Sequence, residues 1–166
     1  RQDGQPVYAQ SHNHVIEYFV QDKQGLWRLR DGEEAVERGI LVLPTESGPE
    51  SWPVAERTIV IQSRKKSLNA RHSAMSIGVP RDYRVADRDA VTEVPAGRFE
   101  HCVLIEGVGF RVFDNAANDD IIHVKVMAQH WYAPGVGLVR SERFETSDSR
   151  HLNDASMVLE LERFIP

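Results

Sequence analysis

Few side chains in this sequence are spaced for chemistry. His12-Asn13-His14 sets two imidazoles at i and i+2, on one face of an extended segment, where they could share a metal ion. No carboxylate or cysteine lies nearby at ligand spacing, so two exposed histidines at an N-terminal edge is the simpler reading. His123 and His130 have opposite strand parity and should not converge, and His72, His101 and His151 stand alone. The single Cys102 has no CxxC partner and sits among Phe99, Val103, Leu104 and Ile105, as a small buried hydrophobe would. No GxSxG elbow presents a serine nucleophile. Glu33-Glu34 and Asp119-Asp120 fall in polar loops, where solvated charge accounts for them. Asp114, Asn115, Asn118, Asp119 and Asp120 form an oxygen-rich stretch without a recognised calcium-loop pattern. No catalytic residue, metal site or cofactor is expected.

The elements that would carry these groups read as strands. Val7 to Gln21 alternates Tyr8, Val15, Ile16, Tyr18, Phe19 and Val20 with polar neighbours, Asp22 to Gly25 turns, and Leu26 to Arg30 returns. Ile40 to Leu43 is a short apolar run stopped by Pro44. The stretch TESGPESWP reads as a loop with the Trp52 indole folded onto the core edge. Weak strand signals follow over 57–62 and 69–79, then at Tyr83 and Val85, a turn at Asp87-Arg88-Asp89, and a short extended piece from Ala90 to Val94. Gly107 and Gly109 suggest a bulge or bend. The clearest alternation is Ile122, Val124, Val126 and Ala128 against His123, Lys125 and Gln129. Pro95-Ala96-Gly97 and Ala133-Pro134-Gly135 turn the chain, and Gly135 and Gly137 supply backbone freedom rather than a phosphate cradle, since a strand and not a helix follows. A final strand alternates Ala155, Met157, Leu159 and Leu161 with Ser156, Glu160 and Glu162. Only Asp31 to Arg38 has helical character. The expected fold is all-β and mainly antiparallel, a curved sheet of about ten strands forming a half-barrel or open barrel with little helix.

Composition narrows the partners. The 166 residues are expected to form a single domain, 1–166, with a core large enough to need no disulfide or metal. With 20 Lys and Arg scattered among 25 Asp and Glu, the net charge is -5, and no basic stripe tracks phosphates; nucleic acid is not expected. Arg64-Lys65-Lys66 reads as a solvated turn. No apolar run reaches the length of a membrane span. The chain opens on Arg1 without an initiator Met, as a processed piece would, and the loss of an export signal, lipid-bearing cysteine or leading strand from its front is expected.

Two segments, VPAGRFEHCVLIEG (Val94 to Gly107) and WYAPGVGLVRSE (Trp131 to Glu142), carry a resemblance. With the upstream EYFVQDKQGLWRL, ILVLP and GPESWP, they are similar to a group of uncharacterised bacterial envelope proteins and lipoproteins, over about two thirds of the chain. Those proteins resemble the periplasmic lipoprotein-carrier fold, a curved antiparallel sheet with an apolar concave side. The resemblance implies export to the periplasm or anchoring as a lipoprotein, an open barrel, and a hydrophobic ligand. Carriers of that fold lay helices across the concave face, for which this chain offers little.

Three functions follow, in this order. The first is a non-enzymatic envelope protein holding a lipid, acyl chain or extended peptide on the concave face of its sheet, near Tyr18, Trp27, Trp52, Phe99, Trp131 and Tyr132. The second is a structural or interaction module whose free sheet edge accepts a strand from a partner envelope protein or from its own missing N-terminus. The third is an enzyme, ranked last for want of a convergent polar set.

Overall fold

A computed structural model describes residues 7–12, 15–29, 39–57, 78–115, 120–149 and 152–165. The Asn13-His14 part of the histidine pair, Arg64-Lys65-Lys66, the helical stretch 31–38, His72, His151 and the middle of the oxygen-rich loop, 116–119, lie outside them. Most of the weak strand signals over 57–62 and 69–79 does too. The described residues form ten strands and no helix, all paired antiparallel, in two open sheets. They divide into two compact units, residues 1–50 and 51–166.

The first unit is a four-stranded meander of β1 (Val7–His12), β2 (Val15–Gln21), β3 (Gly25–Arg28) and β4 (Ile40–Pro44), in sequential order. The β2–β3 turn is set by Asp22, whose Oδ1 accepts the backbone N–H groups of Gln24 (2.8 Å) and Gly25 (3.0 Å) and the Trp27 indole N–H (2.9 Å). One aspartate thus serves as turn former and aromatic anchor together.

The second unit is a six-stranded sheet, ordered β10-β9-β8-β7-β6-β5. Its strands are β5 (Ser51–Arg57), β6 (Gly78–Val94), β7 (Gly97–Asn115), β8 (Asp120–Ala133), β9 (Gly137–Ser147) and β10 (Ala155–Glu160). The turns fall where glycine permits them: Gly97 has φ +129°, Gly135 +71° and Gly137 +98°. Val79, Ile122, Val124, Val126 and Leu152 make one buried cluster. Ala90, Cys102, Ala133 and Val139 make another, toward the turns, with Phe99, Leu104, Trp131, Val136 and Leu161 packed against it. Cys102 is fully buried and burial pushes its thiol pKa up, so it fills space in its protonated form.

Three local expectations are corrected. Trp52 lies in a strand, not a loop, because β5 pairs with β6 from Ser51 onward; as the sheet's edge, β5 tolerates Pro53 opposite Asp82. Asp87 to Asp89 is no turn: β6 runs through it, and the polar residues are absorbed in register shifts between Val85 and Thr92. Gly107 and Gly109 do not bend β7. They are flat spots over which large side chains from β6 lie, for a Cβ on Gly107 would stand 2.5 Å from the Tyr83 ring, and one on Gly109 would stand 2.7 Å from Arg81 Cγ.

Candidate functional site

Strand register sorts the side chains of the six-stranded sheet into two faces of unusual character. On the first, Val54, Arg81, Gly109, Val126, Glu145 and Ala155 form one cross-strand row, and Trp52, Tyr83, Gly107, Ala128, Arg143 and Met157 the next. This face is buried yet polar along its middle: Arg81 is 1% exposed and Glu145 0%. Burial of a charge is costly unless it is paired, and here Arg143 and Glu145, two apart on β9, meet through Nε at 2.6 Å and Nη2 at 2.5 Å. Arg81 Nη1 donates to the Tyr83 hydroxyl at 3.1 Å. Trp52 stacks on Tyr83, ring centroids 6.0 Å apart, and Tyr83 on His130 at 5.8 Å. His130 Nδ1 shares a 2.9 Å hydrogen bond with the Ser141 hydroxyl. Glycine and alanine at 107, 109 and 128 leave the room that these bulky groups need.

The opposite face is exposed yet apolar. Val108, Met127 and Phe144 are cross-strand neighbours on β7, β8 and β9, and all three are exposed. Phe110 (64% exposed) and Val112 follow Val108 at two-residue spacing, and Ile121 (62%) lies at the same end of β8. The Lys125 ammonium stands 5.5 Å over the Phe110 ring. On one side of this patch runs a polar row: Arg84 Nη2 donates to Glu106 at 2.8 Å, Gln129 Nε2 to Glu106 at 3.0 Å, and Arg140 pairs with Glu142. The hydrogen bonds from Arg84 and then Gln129 hold the Glu106 carboxyl below its ordinary pKa. On the other side the His123 backbone N–H and ring Nδ1 meet Asp148 at 2.8 and 2.6 Å.

Those bonds, the backbone one first, hold the Asp148 pKa below its ordinary value of 3.8. The stability this contributes is therefore present above the unfolded carboxylate's pKa and is lost as pH falls through the lower folded one. Urea midpoints at pH 7 and pH 3 should show Asp148→Asn losing less stability on acidification than the parent protein. Equal losses would mean that the contact is not formed in solution.

The six aromatic residues expected around a ligand fall in both units, four in the six-stranded one and two in the four-stranded one. Phe99 and Trp131 join the same apolar cluster near the turns, where the Arg140 guanidinium lies 5.5 Å over the Trp131 ring. Trp52 and Tyr132 are buried in the six-stranded unit, with Trp52 against Tyr83. Tyr18 and Trp27 belong to the four-stranded unit, Tyr18 exposed and Trp27 half-buried over Asp22. Sequence reasoning misses Arg81, Tyr83, Ser141, Arg143 and Glu145, although the alternation in SERFE places Ser141, Arg143 and Glu145 on one face. It also misses the period of two in Val108, Phe110 and Val112, set between Gly107, Gly109 and Arg111. Among the described residues, no group of three His, Cys, Asp or Glu is placed to hold a metal ion, and no helix is long and apolar enough to cross a membrane. Comparison with protein-family models, curated proteins and solved structures finds no match to the chain.

Proposed function

We propose that this is a non-enzymatic protein of the bacterial cell envelope, periplasmic or anchored as a lipoprotein, that binds a hydrophobic ligand on its six-stranded sheet. The ligand is a lipid, an acyl chain or an extended peptide. One observation carries the reading: Val108, Phe110, Val112, Ile121, Met127 and Phe144 expose a contiguous apolar surface on one face of β7–β9. Contiguous exposed apolar surface rimmed by polar groups marks a binding face, and strands of a packed antiparallel sheet hold such side chains in fixed places. The compartment rests on the VPAGRFEHC and WYAPGVGLV segments. The non-enzymatic part is supported by the state of the one thiol: Cys102 is buried and its pKa raised.

Native mass spectrometry of the full-length protein purified from its own envelope, followed by organic extraction, tests this. A bound lipid or acylated peptide is expected, with occupancy lowered about tenfold or more by Phe110→Ser with Phe144→Ser, since each ring contributes roughly 1.5–3 kcal/mol when covered. A clean apo mass would count against the reading. A second reading, strand addition by a partner, is favoured by β10: among the described residues its only paired strand is β9.

A further inference from the structure

One residue past the end of β10 joins parts of the six-stranded sheet that its strand order keeps apart. The Leu161 N–H donates to the Val139 carbonyl of β9 at 2.9 Å, and the Leu161 carbonyl accepts the Ala96 N–H of the β6–β7 turn at 2.9 Å. In the sheet, β7 and β8 stand between β6 and β9, so these two bonds draw the turn end of the sheet together with Leu161 at the seam. Arg140 Nη1 crosses the same seam to the Glu93 carbonyl, at 3.4 Å. The half-buried Leu161 side chain packs against the cluster of Ala90, Cys102, Ala133 and Val139, which takes one residue from each of β6, β7, β8 and β9. We propose that Leu161 is a latch, which opens while the strands stay paired and in opening uncovers the apolar cluster around Cys102.

What fastens the latch is little beside what holds the sheet. Neither Leu161 bond belongs to a strand ladder, so breaking both leaves β5 to β10 paired. Beyond it Glu162, Arg163, Phe164 and Ile165 are all exposed, and among the described residues they add no hydrogen bond or ion pair. By contrast β7 and β8 pair without a break from Val103 to Asn115. Segments with few buried contacts open locally, at a fraction of the free energy of global unfolding. Yet what the latch shuts in is thoroughly dry: Cys102 and Val139 are fully buried. The device is independent of the ligand reading, since it draws on none of the exposed apolar residues of β7–β9.

Cys102 is the sole cysteine of the chain, so its labelling by a small maleimide under native conditions reads the opening, with the urea midpoint measured alongside. In the wild-type full chain, addition of about 1 M urea should leave the labelling rate nearly unchanged, since a local opening exposes little surface. Leu161→Ala, which removes the packing and keeps both backbone bonds, should speed labelling about tenfold. Leu161→Pro, which lacks the N–H, should do so at least as strongly. Neither should shift the urea midpoint in proportion. Val126→Ala, in the other buried cluster, should lower the midpoint and leave labelling in the absence of urea unchanged. Hydrogen exchange of the wild-type protein needs no variant: the Ala96 and Leu161 amides should share one protection factor, well below that of the β8 amides. Labelling that follows global unfolding in every variant overturns the latch, as does exchange at Ala96 as slow as in β8.

Discussion

Glu145→Ala should lower the unfolding free energy by about 3–5 kcal/mol, because it breaks the ion pair with Arg143 on a buried face. Arg143→Ala should cost a similar amount by removing the guanidinium that meets the Glu145 carboxylate there. The pair sits at the cross-strand rows formed with Val126 and Ala128, in surroundings that offer a lone ion little of what water does. The double replacement Arg143→Met with Glu145→Leu should recover most of the loss, since apolar residues of similar size often replace a buried ion pair without penalty. Urea denaturation of the four proteins gives the coupling energy directly. Near-additive losses would show that the two charges are not coupled in the folded protein.

Gly109→Ala is expected to cost about 3 kcal/mol, near the upper end of the range for overpacking. The added methyl would stand 2.4 Å from the Pro80 carbonyl oxygen, a backbone atom of the neighbouring strand, and no rotamer change can move that away. Gly107→Ala meets the Tyr83 ring first, at 2.5 Å, and a ring can tilt. Its effect should be smaller in stability but visible in near-ultraviolet circular dichroism, because Tyr83 is stacked between Trp52 and His130. Thermal melts and spectra of the two variants separate the cases. A Gly109→Ala protein as stable as its parent would mean that β6 and β7 are not packed as closely as described.

The outlines of the fold are legible in the sequence because turns announce themselves locally. Asp22 to Gly25, Pro95 to Gly97 and Pro134 to Gly137 mark hairpins by residues with few other uses, and the alternation from Ile122 to Ala128 fixes a strand and its faces. What could not be read depended on neighbours far along the chain. Gly107 and Gly109 signal a bend to any local rule, and only the approach of Tyr83 and Arg81 shows them to be floor space. Asp87-Arg88-Asp89 has turn composition, yet its pairing with β7 holds it extended. The candidate binding face was hidden for a related reason. Val108, Phe110 and Val112 alternate with Gly107, Gly109 and Arg111, so apolar residues mark the outer side of β7, while the inner side carries arginine, glutamate and histidine beside Val79, Ile122, Val124 and Val126.

Both sheets follow strict chain order, each strand beside its predecessor. Every pairing therefore closes a connection between consecutive segments, and no strand must wait for a distant one to arrive. In the six-stranded unit folding can advance as a zipper from its two shortest turns, at Pro95-Ala96 and Pro134 to Val136, outward along β6–β7 and β8–β9. The same order makes β7 and β8, which lie between those hairpins, the seam where two early halves of the six-stranded unit are joined.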